Sequence, residues 1–156
     1  MTFAAMYLLL PILLAVAWCD LRMLRIPNVL PAATFLLFIA LAVVAPPPDL
    51  VGRLAGAGAV FAIGFLGFAL RMVGGGDVKM LPALMLFVPA NSLVLFANVF
   101  SFSILIGIGA VLSLRQLPEP AVAAWKSLTG PLRFPMGISI ALAGIAHPVL
   151  LSALGA

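Results

Sequence analysis

Acidic side chains are scarce in this chain: three aspartates and one glutamate in 156 residues, with 8% of all residues charged. Soluble domains carry roughly 25% charged residues, so an ordinary water-exposed globule is excluded. Cysteine is nearly absent, and Cys19 has no partner for an internal disulfide. One histidine and no Cys/His cluster leave nothing from which to build a zinc site, and neither a metal nor a cofactor is expected. The formal net charge of +4 comes from basic residues scattered over several short loops, not from one patch, and no nucleic-acid partner is expected. Period-two alternation of apolar and polar residues is also missing, which argues against a transmembrane barrel.

What the chain has is apolar length. Hydrophobic residues make up 65% of it, in recurring runs of seventeen or more. A helix needs about 20 apolar residues to cross a bilayer, with a lower limit near 17. The pattern predicts an all-α, polytopic integral membrane bundle of about six transmembrane helices, residues 1–156 forming a single domain in contact with the lipid bilayer. The first span is expected from Phe3 to Cys19. It lacks the preceding positive charge of a secretory signal, and Trp18 spoils a lipoprotein-type cleavage site, so the segment is expected to be retained. Further spans are expected at Val29–Ala45, Leu54–Leu70, a short one at Asp77–Pro89, Leu93–Leu114 and Phe134–Leu154. The Gly- and Ala-rich third span is expected inside the bundle, because small residues let helix backbones approach closely. Pro89-Ala90-Asn91-Ser92 supplies the turn within an uncharged stretch of 35 residues, Met80 to Leu114.

With six spans, loops 20–28, 71–79 and 115–133 face one side and hold seven of the eight basic residues; only Arg53 lies opposite. The positive-inside rule then predicts those loops to be cytoplasmic and both termini outside. Asp20 closes the first apolar run and Asp77 opens the fourth, so the topology brings both carboxylates to the same face. A helix of 13 residues from Asp77 to Pro89 spans only about 20 Å, which puts Asp77 below the membrane surface. The triplet Gly74-Gly75-Gly76 is expected as a flexible, non-helical cavity wall, with Gly74, farthest from the carboxylate, the least critical of the three.

Acidic residues at a hydrocarbon boundary are costly and mark function unless a structural partner explains them. Two in one partly desolvated site cannot both ionise easily and share a proton. Such a pair can activate water and polarise a peptide carbonyl, with the roles of Asp20 and Asp77 interchangeable on this evidence. The plain alternatives are an N-cap role for Asp77 and a pairing of Asp20 with Arg22 or a neighbouring basic residue.

Three ordered motifs resemble the type IV prepilin peptidases, membrane aspartic proteases of the GxGD class. Asp20 followed by Arg25-Ile26-Pro27-Asn28 looks like the family's first aspartate with its basic, Ile-Pro-Asn continuation. GGGDVKM at 74–80 looks like the Gly-x-Gly-Asp motif and its following lysine. Arg133-Phe134-Pro135-Met136-Gly137 is an imperfect copy of the family's entry to its last helix. The resemblance implies an intramembrane endopeptidase, catalytic through Asp20 and Asp77, that removes the leader of prepilins at the cytoplasmic face of the inner membrane. It also implies contact with the pilus assembly machinery. Arg25, Pro27, Asn28, Lys79, Pro135 and Gly137 become candidates for substrate binding or tuning, Lys79 as a partner for a substrate carboxylate or else a plain membrane-surface anchor. Larger members carry a cysteine-rich cytoplasmic insertion and N-methylate the new pilin terminus. Here the first loop has about nine residues and no CxxC occurs, so methyltransferase activity is not expected, and the compact form resembles the peptidases of Flp-type, tight-adherence pili.

Other polar residues are expected to pack: His147 on the outer side, Ser101 and Ser103 as hydroxyls between helices, Asn98 as an interhelical hydrogen bond, Glu119 as a solvated loop residue. Two rivals stand beside proteolysis: a small channel or carrier that uses the carboxylates as an ion or proton relay, and a structural subunit of a secretion complex. The first predicts acids along a mid-membrane path, not at one boundary; the second needs no paired acids.

Overall fold

The structure, a computed structural model, describes residues 3–118, 123, 125–129 and 134–154. Among these residues the fold is all-helical, without strands. The elements are α1 (Phe3–Met23), α2 (Val29–Val44), α3 (Leu50–Ala69), α4 (Gly75–Met85), a 3₁₀ turn (Ala90–Ser92), α5 (Leu93–Leu114), α6 (Lys126–Thr129) and α7 (Met136–Ala153). The segment Ala90–Leu114, α3 and α7 are long and apolar enough to cross a membrane, and α2 is a shorter apolar helix. The chain is a helical membrane bundle.

Helix α7 lies between α5 and α1, while α4 packs between α3 and α2 and also touches α7. Their shared core is formed by Leu13 and Val16 of α1, Phe38 of α2, Met80 and Leu84 of α4 and Ile140 of α7, all nearly or fully buried. Small residues set the spacing. A Cβ at Gly144 of α7 would stand 2.8 Å from a Leu13 methyl and 3.2 Å from those of Leu84, so three helices meet where only a glycine leaves room.

The fourth helix is shorter than expected and starts earlier, at Gly75 instead of Asp77; its 11 residues reach about 17 Å. The expected turn at 89–92 is present as the 3₁₀ element.

The third helix overturns its expectation. Of its residues only Arg53 and Ala57 are buried, and Ile63, Phe65, Leu66 and Phe68 point outward. Its small residues serve one stripe: a Cβ at Gly52 would meet Ala90, one at Gly56 Leu93, and one at Gly64 Val78, whereas nothing lies within 4 Å of Gly58. Glycine content permits close approach on one side and does not require burial on all sides.

That stripe is locked at one end by an ion pair. Buried Arg53 donates from Nε to Asp49 Oδ1 (2.7 Å) and from Nη1 to the Leu86 carbonyl (3.2 Å), while Asp49 Oδ2 accepts from the Ala90 N–H (2.8 Å). The clasp ties the start of α3 to the chain after α4. At the opposite end of the bundle, α3 finishes in a Schellman motif: Met72 N–H reaches the Gly67 carbonyl and Arg71 N–H that of Phe68, with Arg71 at φ 58°. Helix α1 stops in the related left-handed cap, Leu24 at φ 51° donating to the Asp20 carbonyl at 2.8 Å. Both caps turn the chain sharply at the same end of the molecule.

Candidate functional site

Between those two caps lies a cavity of about 310 Å³. It is lined by Asp20 and Leu24 from the end of α1, by Arg25, Ile26 and Asn28 from the connection to α2, and by Gly74, Gly75, Gly76, Asp77 and Lys79 from the start of α4. The structure therefore brings together Asp20 and Asp77, along with six of the residues singled out around them: Arg25, Asn28, Gly74, Gly75, Gly76 and Lys79. Pro27 is not among the lining residues; its carbonyl accepts from the Leu30 N–H and starts α2.

Asp20 sits in the last turn of α1 and is 6% exposed. Its Oδ2 accepts a 2.6 Å hydrogen bond from the backbone N–H of Gly137, the second residue of α7. No ion pair to Arg22 forms among the described residues; the only ion pair there is Arg53–Asp49. Pro135 precedes this helix in extended backbone and is fully buried. A Cβ on residue 137 would lie 2.7 Å from the Asp20 Cβ, so glycine is needed for α7 to bring its N–H to the carboxylate. Arg133 lies outside the described residues.

Asp77 is the third residue of α4, so it is not an N-cap; Gly74 holds that position. Its Oδ1 is buried and accepts no hydrogen bond from the described residues. The glycine triplet is not the expected irregular wall, since Gly75 and Gly76 are already helical and none of the three needs a left-handed φ. The glycines act through close approach. A Cβ at Gly74 would stand 2.8 Å from Asp77 Oδ2, and one at Gly76 2.9 Å from the Ile26 Cβ. Gly74 is thus among the tightest positions, not the most tolerant.

The exposed rim is cationic. Lys79 Nζ donates to Asn28 Oδ1 at 3.1 Å, linking α4 to the start of α2, and Arg25 lines the same wall. Two carboxylates in a small, partly enclosed space, with two cations at its mouth, can hold one proton between them and bind an anionic or carbonyl group.

Residues 7–130 match the family model of type IV leader peptidases. The chain belongs to that family. It is a membrane peptidase, and the matched region contains Asp20, the glycine triplet and Asp77 while ending before α7. No curated protein and no solved structure matches the chain.

The remaining polar residues sort by distance from the cavity. His147 lies buried at the far end of α7, its Nε2 3.1 Å from Ser92 Oγ and its ring edge-on to Phe96. Asn98 donates to Val94 and Ser101 to Ala97, each within α5 itself and exposed, so neither makes the expected interhelical contact. The α5–α7 link comes instead from Ser139 Oγ to the Ser103 carbonyl. Glu119 lies outside the described residues. Sequence reasoning missed a strap at the cavity end: Arg115 donates twice to the Ser127 carbonyl, Ser127 Oγ donates to the Leu21 carbonyl, and Trp125 packs edge-on to Trp18 at 5.0 Å. No local motif announces backbone acceptors 106 residues away.

Proposed function

We propose that this chain is an aspartic endopeptidase that cleaves the short leader from type IV or Flp-type prepilins at the cytoplasmic face of the inner membrane, with Asp20 and Asp77 as its catalytic pair. The carrying observation is that these two carboxylates, from helices far apart in sequence, line one small cavity. In the reaction, the ionised aspartate takes a proton from water as the water oxygen bonds to the scissile carbonyl carbon. The protonated aspartate gives its proton to the carbonyl oxygen. Collapse of the tetrahedral intermediate breaks the C–N bond, the first aspartate protonates the leaving amine, and the second recovers its proton from the hydroxyl. Arg25 and Lys79 offer a rim for a substrate carboxylate. The reading includes no methyl transfer, in line with the short first loop.

Asp20→Asn and Asp77→Asn are each expected to lower leader removal from a co-expressed prepilin at least a hundredfold, scored by mass, while the protein remains inserted and folded. Cleavage within a few-fold of the parent in either variant removes the dyad. The same variants, assayed for ion flux in liposomes, decide the relay alternative: a relay loses flux and cuts nothing in any form. Sidedness is tested with single cysteines in a Cys19→Ser background. Positions 72 and 123 are expected to react from the cytoplasmic side and position 48 from outside; the reverse pattern inverts the orientation.

A further inference from the structure

We propose that Gly137 is a positioning residue whose backbone N–H holds Asp20 as the ionised, water-activating member of the pair and leaves Asp77 to carry the shared proton. This rests on the two-aspartate reading above and adds to it an order that the sequence left open. The first N–H groups of a helix have no acceptor within it and form its positive end. In α7 the second of them points at Asp20 Oδ2 from 2.6 Å, the short distance of a hydrogen bond to a charged acceptor. The contact depends on glycine, because a Cβ at 137 would collide with both Cβ and Oδ2 of Asp20, at 2.7 and 2.8 Å. A buried carboxylate needs such compensation to remain charged, and the Gly137 N–H supplies part of it at Oδ2 of Asp20.

Asp77 is placed differently. The Gly74 backbone N–H at the start of α4 interacts with its carboxyl, whose Oδ2 lies on the Gly74 side. The other oxygen, Oδ1, is buried with no donor among the described residues. An ionised carboxylate would leave that oxygen uncompensated, whereas a proton on Asp77 removes the charge and supplies a donor toward the cavity. The charged groups facing the pair are Arg25 and Lys79 on the cavity wall; Lys126 opens α6, which packs on α1, and Arg22 is on α1 itself. The described start of α7, Phe134 to Ser139, brings no charged side chain. Each aspartate meets one backbone N–H, Asp20 that of Gly137 and Asp77 that of Gly74; what distinguishes them is the 2.6 Å contact on Asp20 and the buried, unpartnered Oδ1 of Asp77.

The test removes the N–H without adding a Cβ: Gly137 is replaced by glycolate through nonsense suppression, which puts an ester oxygen where the N–H was. The chain has three aspartates, so ¹³Cγ-aspartate labelling of the full protein in micelles gives three carboxyl signals, assigned by Asp→Asn variants. In the parent, Asp20 is expected to titrate at lower pH than Asp77. In the glycolate variant its curve is expected to move up by about one pH unit or more, a tenfold change in its proton equilibrium. Its kcat at neutral pH is expected to fall about tenfold or more with KM within about threefold, as for loss of one hydrogen bond to a charged group. Asp77 titrating below Asp20 in the parent, or an Asp20 curve unmoved by glycolate, overturns the assignment. Cleavage is scored separately: a parent protein that cuts no prepilin overturns the peptidase reading, while the order of titration decides the assignment either way.

Discussion

A methyl group added at Gly76 would stand 2.9 Å from the Ile26 Cβ and 3.3 Å from the Ile26 carbonyl oxygen. The latter is backbone and cannot swing aside, so α4 must move away from the α1–α2 connection, taking Asp77 with it. At Gly74 the nearest atom is Asp77 Oδ2 itself, at 2.8 Å; its side chain can rotate, but only out of the position that the cavity gives it. Gly75 faces the Phe68 ring at 3.3 Å, an apolar side chain that can shift by tenths of an ångström. Gly75→Ala is therefore expected to keep cleavage within about threefold, because alanine also favours the helix, whereas Gly74→Ala and Gly76→Ala lower kcat about tenfold or more. Prepilin cleavage by purified variants with matched thermal unfolding checks this, and equal losses at all three positions would contradict it. Sequence reading found the triplet but ranked its members by distance along the chain. The ranking that matters is through space, and it depends on Ile26 and Phe68, which no motif connects to residues 74–76.

Among the helices, α3 shows how far composition can be read. Its length and apolarity were legible in the run from Leu54 to Leu70; its burial was not, because Gly52, Gly56 and Gly64 follow one stripe while the large residues between them face outward. Nor was the clasp that fixes its register legible, since Asp49 followed by Arg53 reads as an ordinary i, i+4 pair. What gives that pair weight is the buried guanidinium and the Leu86 and Ala90 backbone groups it serves. Burial of Asp49 works against its charge, but the Arg53 guanidinium and the Ala90 N–H outweigh it and hold the carboxyl below its ordinary value. A carboxyl lowered on folding stabilises the fold above its unfolded value, near 3.9, and loses that contribution as pH falls through the folded value. Asp49→Asn is expected to lower stability by about 1–2 kcal/mol at neutral pH and by progressively less as pH drops below about 4. Thermal unfolding in micelles at a series of pH values measures it; a deficit independent of pH would mean that the carboxylate charge plays no part.

For the whole molecule, alternation of the helices puts both αL caps, the cavity, the Arg115–Ser127 strap and the start of α7 at one end, with the Asp49–Arg53 clasp and His147 at the other. The grouping of Asp20 with Asp77 at one end followed from counting apolar runs, which is why the pair was visible before any side-chain geometry; the partner that α7 brings to Asp20 was not, because a helix N-terminus gives no sequence sign of what lies beneath it. The one-sided seating of α3 reaches further. Its outer face is solvated by acyl chains, so a bilayer thinner than its 20 residues, about 30 Å, relieves hydrophobic mismatch by tilting it. Because α3 grips α4 through Gly64 and Val78 and through the clasp beyond Met85, tilt becomes displacement of Asp77 relative to an Asp20 anchored by α7. Proteoliposomes made from lipids of graded chain length are thus expected to show kcat peaking at one thickness and falling about tenfold on either side, while KM for a soluble leader peptide stays flat. In that case the lipid composition of the host membrane is itself a modulator of the peptidase.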